Sequence, residues 1–271
     1  MAALDDARLS LEEVDGLATN GLARFSVSPI AGHLGIHPTW TDSTFAGGVS
    51  CEVFVGHTVE AIKSGRCDVA VISHASDQRS AQSRQIGGAT DPGDPEARFE
   101  APYGPLSPLS MYALAARRHT HEFGTTSEQM AEAAVAAREW VLLKPKALRY
   151  DAGPLSIEQV LASPMTSSPL HALGRCLITG GGGTTHMSIS QMPDLNATGA
   201  SVSSARAFAI GRPGPDDADV GEVYDLFAII VLLTLEALGS CQRGEAGALV
   251  SEGRICPGGD FPLTCGGRPL L

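Results

Sequence analysis

Between Thr44 and Ile72 the chain reads TFAGGVSCEVFVGHTVEAIKSGRCDVAVI, and its apolar positions change period along the way. From Cys51, later apolar or neutral positions fall on Phe54, Val55, Thr58 and Ile62, while Glu52, Glu60 and Lys63 fall elsewhere. That spacing predicts an amphipathic helix with this set as its buried face. Gly65 stands where a helix ends, with Lys63 in the last turn; both suit a helix C-terminus. CDVAVI follows as a short, unbroken, β-branched run, which predicts a strand buried on both faces. A strand–helix–strand order of this kind predicts a parallel α/β layer.

The same grammar runs on either side. The first twenty residues read as helix followed by strand. SLEEVDGL carries Ser10 and Glu13 at capping-box spacing, and VDGLATN leads out into a loop. Residues 81–108 are rich in Gly and Pro and predict a loop. A helix is then expected from about Pro108, which sits at an early helical position. A second follows GTTSEQ, where Thr126 and Gln129 have capping-box spacing, and stops before Lys144-Pro145. RCLIT reads as a short strand running into four glycines, Gly180–Gly183. No Lys-Ser/Thr follows them, so a flexible turn is favoured over a phosphate loop. DADVGEVYD predicts another strand. FAIIVLLTLEAL, from Phe227 to Leu238, places Phe227, Ile230, Val231, Thr234, Leu235 and Leu238 on one helical face, with Gly239 as the stop. It is too short to span a bilayer and contains Glu236, so it predicts a buried core helix. The tail after it is turn-rich.

Composition narrows the class of function. The 271 residues are 43% hydrophobic and 18% charged, values of a globular chain long enough for one large domain or two ordinary ones. The net charge of −11, with no basic stripe, excludes nucleic acid as the expected partner. A coenzyme A substrate would still need a local cluster of cationic side chains. The six cysteines, Cys51, Cys67, Cys176, Cys241, Cys256 and Cys265, form no C-x-x-C pair; reduced thiols in a cytoplasmic protein follow. His119 and His121 are two residues apart and so lie on different helix faces, which argues against a shared metal. The N-terminus has acids where a signal peptide carries positive charge.

GGVSCEVFVGHTVEAIKSGRCDVAVISHASDQRS resembles the segment around the nucleophile in the thiolase superfamily, most nearly its sterol-carrier-type, lipid-transfer-like branch. APYGPLSPLSMYALAARRHTHEFGTTSEQMAEAAVAAREWVLLKPKA, THMSISQMPDL, DADVGEVYDLF and GEAGALVSEGRICPGG extend the resemblance in the family's order. It implies a five-layered αβαβα fold of two similar halves: an N-terminal half over residues 1–80, a helical loop domain over 81–175 that helps bind CoA, and a C-terminal half over 176–271. It also implies an acyl-CoA thioester as substrate and no cofactor. The implied chemistry is C–C cleavage by a retro-aldol step, or acyl transfer, in lipid or steroid side-chain metabolism. One cleft is implied for the helix start near Gly48 and the hydroxyl of Tyr224.

This sequence departs from the family in three places. The nucleophile's position falls on Gly48, with Cys51 nearly a turn deeper in the helix, so a small buried cysteine is favoured over a thiolate nucleophile activated at a helix N-terminus. Where thiolases carry Asn-Glu, this chain has Tyr224-Asp225; Tyr224 becomes the candidate acid/base, with Asp225 beside it and Cys51 as the third catalytic candidate. Gly48, His57, His186, Gly266 and Gly267 are the substrate-pocket candidates, although both histidines also fit the commoner role of a buried, hydrogen-bonded ring. The fold looks incomplete at both ends and in the middle. Strand and helix are missing after RCLITGGGG, and the family's His-Pro-Gly segment has no counterpart. The open strand edges this implies call for a homodimer or other oligomer. The resemblance further implies a small zinc-ribbon/OB-fold acyl-CoA-binding partner. The alternative is a non-catalytic acyl-CoA- or lipid-binding or scaffold subunit, or an inactive remnant.

Overall fold

A computed structural model of the chain describes residues 2–20, 27–46, 49–74, 93, 96–104, 108–145, 147, 149–171, 192–211, 214–218, 221–223 and 227–264. The chain divides into two compact units, the first formed by Met1–Ala81 and the second by most of the remainder.

The first unit is a three-layered α/β sandwich. Its strands β1 (Gly16–Thr19), β2 (Trp40–Asp42) and β3 (Ala70–Ser73) form a parallel sheet in the order β2-β1-β3. Helices α1 (Ala2–Ala7) and α2 (Val27–Leu34) cover one face and α3 (Ser50–Lys63) the other. Successive side chains of a strand point to opposite faces. Leu17 accordingly joins Leu4, Val14 and Ile36 in a cluster that takes in Val27, Ile30 and Leu34 of α2. Ala18 joins Trp40, Phe54, Ala61 and Cys67 beneath α3.

Asp15 holds the three strands in register. Its carboxylate accepts the backbone N–H of Asp68 at 3.0 Å and of Val69 at 2.8 Å. Its carbonyl accepts those of Thr39 at 2.7 Å and Trp40 at 3.2 Å, and its own N–H donates to Val69 at 3.0 Å. The bonds to its carboxylate hold Asp15 below the usual carboxylate range, Val69 contributing most. Gly16 comes next because β1 and β3 approach closely there: a Cβ would stand 2.8 Å from the Cβ of Ala70.

Three expectations are corrected. VDGLATN does not lead into a loop: residues 16–19 are the central strand, fully buried, because Leu17 and Ala18 supply one apolar side chain to each covered face. Strand β3 is half-buried at all four residues, since it ends the sheet formed by the described residues. The buried face of α3 is Ser50, Phe54, Thr58 and Ala61, while Val55 and Ile62 are 54% and 44% exposed. The helix carries apolar residues on more than one face, so periodicity alone did not choose; the small Ala61 fits against the sheet. Ser10 and Glu13 do form their box, on a 3-10 turn, with Ser10 N–H and Oγ donating to Glu13 Oε2 at 2.7 and 2.9 Å. Gly65 ends α3 in the left-handed conformation, φ 67°.

The second unit is built around α8 (Ala228–Leu238), in which eight of eleven residues are buried. Gly239, at φ 83°, ends it. Packed with it are α4 (Leu109–Phe123), α5 (Ser127–Leu142), α7 (Ala200–Gly211) and α9 (Ala246–Ser251). The helix α5 opens with the expected box, Thr126 N–H donating to Gln129 Oε1 at 2.9 Å and Gln129 N–H to Thr126 Oγ1 at 3.2 Å. Trp140 of α5 donates its indole N–H to the Ile255 carbonyl at 3.1 Å. A short helix α6 (Ile157–Ala162) rests on α5, and β4 (Met165–Ser167) and β5 (Leu170–His171) make an antiparallel hairpin. Strands β6 (Gly221–Glu222) and β7 (Leu263–Thr264) pair in parallel. Among the described residues no helix is long and apolar enough to cross a membrane.

Within this apolar core lies a polar pair. Glu236 of α8 and His119 of α4 have side chains only 3% and 0% exposed, and Glu236 Oε1 lies 3.1 Å from His119 Nε2. His119 Nδ1 lies 2.8 Å from Thr125 Oγ1. Glu236 Oε1 also accepts the backbone N–H of Gly244 at 2.9 Å and of Ala246 at 3.4 Å. His121 is exposed, as the two-residue spacing requires. Removing one partner of a buried pair strands the other in low dielectric, at a cost of about 3 kcal/mol or more. His119→Ala and Glu236→Ala should each lower the urea midpoint by an amount corresponding to about 3 kcal/mol. The His119→Leu/Glu236→Leu double variant should lose less than the two single losses combined.

Candidate functional site

The first-unit candidates sit on α3 and the strand before it. The helix begins at Ser50, with Val49 as N-cap, so Cys51 lies in the first turn. Ser50 Oγ accepts the Ala46 N–H at 3.0 Å and ties the incoming chain to that turn. A helix start favours thiolate, yet partial burial, followed by the neighbouring Glu52 carboxylate, pushes the Cys51 thiol above its ordinary value. It is a half-buried thiol. Burial is also the first cause raising Cys67, Cys241 and Cys256, the last two to about 11. These four are free cysteines. Cys176 and Cys265 lie outside the described residues.

His57 is on the exposed side of α3, its side chain 48% exposed, which corrects the expectation of a buried ring. It is hydrogen-bonded all the same: Nδ1 lies 2.5 Å from Asp42 Oδ2 at the end of β2. Asp42 Oδ1 accepts the backbone N–H of Thr44 at 2.8 Å and its hydroxyl at 2.7 Å. Burial works to raise the Asp42 pKa, but the bonds from Thr44 and His57 outweigh it and hold the carboxyl below its ordinary value. With Nδ1–H donating to Asp42, Nε2 of the neutral ring is an acceptor. The pair lines a shallow cavity of about 290 Å³ together with Trp40, Glu60 and Arg66. Six residues separate Cys51 from His57, about 120° apart around a helix of 3.6 residues per turn, so the two do not form a Cys–His pair. Sequence reading missed Asp42. Its signal was the spacing to Thr44, an Asx turn that fixes the carboxylate.

Gly48, His186, Tyr224, Asp225, Gly266 and Gly267 lie outside the described residues, as does the glycine run. The elements beside four of them are described. Val223 and Phe227 are 4% and 0% exposed. Strands β6 and β7 pair with Gly221 opposite Leu263 and Glu222 opposite Thr264. Being parallel, both strands end on the same side of their sheet. The carboxyl ends of parallel strands are where α/β proteins bind ligands. No group of three or more His, Cys, Asp or Glu side chains among the described residues could hold a metal.

Comparison with known proteins fits this architecture. Residues 181–269 match the model of the thiolase C-terminal domain-like family. A steroid side-chain-cleaving aldolase of Thermomonospora curvata is 28% identical over all of this chain and 78% of its own length. The 17-hydroxy-3-oxo-4-pregnene-20-carboxyl-CoA lyase of Mycobacterium tuberculosis is 29% identical over 99% of this chain and 79% of its own. The solved structure of an Ltp2-ChsH2(DUF35) aldolase superposes with a TM-score of 0.84 and 28% identity, covering 97% of this chain and 75% of that one. The match to the T. curvata aldolase runs over 313 positions against 271 residues here, so at least 42 of its positions have no counterpart in this chain. The chain has a thiolase-like fold, and these likenesses support the thiolase superfamily, near its sterol-carrier-type branch.

Proposed function

We propose that the protein acts on acyl-CoA thioesters and cleaves a C–C bond by a retro-aldol step. The observation that carries this is the likeness, over 97% of the chain, to an aldolase structure, joined to the CoA lyase among its relatives. In the proposed step a base takes the proton of a β-hydroxyl, the Cα–Cβ bond breaks, and a ketone leaves. The electron pair passes to the thioester as an enolate, which takes a proton to give the shortened acyl-CoA. Tyr224 is the proposed base, its phenol needing a pKa below the ordinary value of about 10, with Asp225 beside it. Gly48, His57, His186, Gly266 and Gly267 are the proposed substrate contacts. The elevated pKa of Cys51 favours this reading over acyl transfer through a cysteine thiolate.

The same reading includes a cytoplasmic location, no cofactor beyond the thioester substrate, and the division at residues 80 and 175. It includes a homodimer and an acyl-CoA-binding partner with a zinc ribbon and OB fold. Val55, Val59 and Ile62, exposed on one side of α3, support association with another chain. A second reading, an acyl-CoA-binding subunit without chemistry, is favoured by the 42 or more positions that the aldolase has and this chain lacks.

Incubation of the pure chain with steroid-side-chain β-hydroxyacyl-CoA should release a ketone and a shortened CoA thioester, followed by mass spectrometry. Absence of turnover at every chain length tried, even after co-expression with a partner subunit, removes the lyase and leaves the binding subunit. Tyr224→Phe should lower kcat by about 10²- to 10⁴-fold with little change in KM. Cys51→Ala should leave kcat at the wild-type level; a loss as deep as that of Tyr224→Phe would restore the cysteine mechanism.

A further inference from the structure

One backbone carbonyl of the second unit joins a helix to a strand. Ile255 accepts the indole N–H of Trp140, near the end of α5, at 3.1 Å. It also accepts the backbone N–H of Leu263, the first residue of β7, at 3.1 Å. A carbonyl has two lone pairs, and both are taken. Ile255 and Leu263 are buried in one core cluster with Met130, Ala133 and Ala136 of α5. The chain between Ile255 and Leu263 is a closed turn. Phe261 N–H donates to the Arg254 carbonyl at 3.1 Å, and Arg254 Nε donates to Asp260 Oδ1 at 2.8 Å. Gly259 is required inside it, because a Cβ there would stand 2.2 Å from the Arg254 carbonyl oxygen.

The strand so held is in turn fixed on β6. Gly221 N–H donates to the Pro262 carbonyl at 3.0 Å, and Gly221 and Glu222 lie opposite Leu263 and Thr264. A Cβ on Gly221 would stand 2.7 Å from Leu263 Cδ1 and 3.1 Å from Phe261 Cζ, so the two strands meet at close range. A pair of strands this short is marginal by itself, and a slip of one residue would turn its side chains to the opposite face. The tie from β7 through Ile255 to α5 supplies the register that the pair lacks. Tyr224, the proposed base, follows Val223 directly in the sequence, and Val223 is buried beside β6. A general base works only within hydrogen-bond reach of its proton, about 2.6–3.2 Å. A misplacement of about 1 Å, caused far from the chemistry, can cost about 10²-fold in rate.

We infer, on the lyase reading above, that Trp140 is a positioning residue for the retro-aldol step: through the Ile255 carbonyl its indole N–H sets where β7 and β6 lie, and with them the base that follows Val223. Trp140→Phe keeps a ring and removes the donor. Amide exchange of the full chain, followed by NMR, should then run about tenfold faster at Leu263 and Gly221, the scale of one net hydrogen bond, with the amides of α8 unchanged. In the retro-aldol assay the same variant should lower kcat about tenfold and leave KM unchanged. In the Tyr224→Phe background it should cost less than about twofold more, because the hydroxyl it positions is gone. A tenfold loss that persists in that background marks a merely structural role and overturns the assignment, as does an unchanged kcat. Unchanged exchange at Leu263 and Gly221 overturns it whether or not the chain turns over. If the wild-type chain shows no turnover, the lyase reading falls alone, and faster exchange in Trp140→Phe still upholds Trp140 as the residue that positions the two strands.

Discussion

A carboxylate inside an apolar helix is the constraint on which the second unit depends. Glu236 sits among Ile, Val and Leu residues that are themselves buried, where an unpaired charge would be expelled. It is kept there by His119 on α4 and by the N–H groups of Gly244 and Ala246 at the entry to α9. One side chain thus sets where α4 lies on α8 and where the turn into α9 folds back. Ring packing follows from it: Phe123 lies 4.9 Å from His119, centroid to centroid, and the Arg243 guanidinium lies 5.8 Å above the Phe123 ring. An apolar pair of the same volume would cost less to bury. The polar pair supplies geometry instead, since a leucine contact tolerates sliding that a three-partner carboxylate does not.

The first unit solves the equivalent problem with backbone. Asp15 uses its amide, its carbonyl and its carboxylate to bind the chain entering all three strands, and Gly16 lets β3 close on β1. The β2–α3–β3 crossover can then present the Asp42–His57 pair at the end of β2 and Cys51 at the start of the helix. Cys51 lies in the first turn of that helix, where burial and Glu52 act against ionisation.

Elements governed by neighbours in the chain were legible in the sequence. The capping boxes of Ser10 and Thr126, the glycine stops at Gly65 and Gly239, the helices after Pro108 and Thr126, and the buried character of α8 all depend on residues within a turn or two of one another. Ordered motifs along the chain likewise carried the family. What depended on distant partners was not legible. The face of α3, the Asp42 partner of His57 and the His119 partner of Glu236 are each decided by atoms 15 to 117 residues away. Local period and composition do not encode which of several apolar faces meets a sheet, or which histidine reaches a buried acid. Only the packed chain, by excluding water from one choice and not another, decides that.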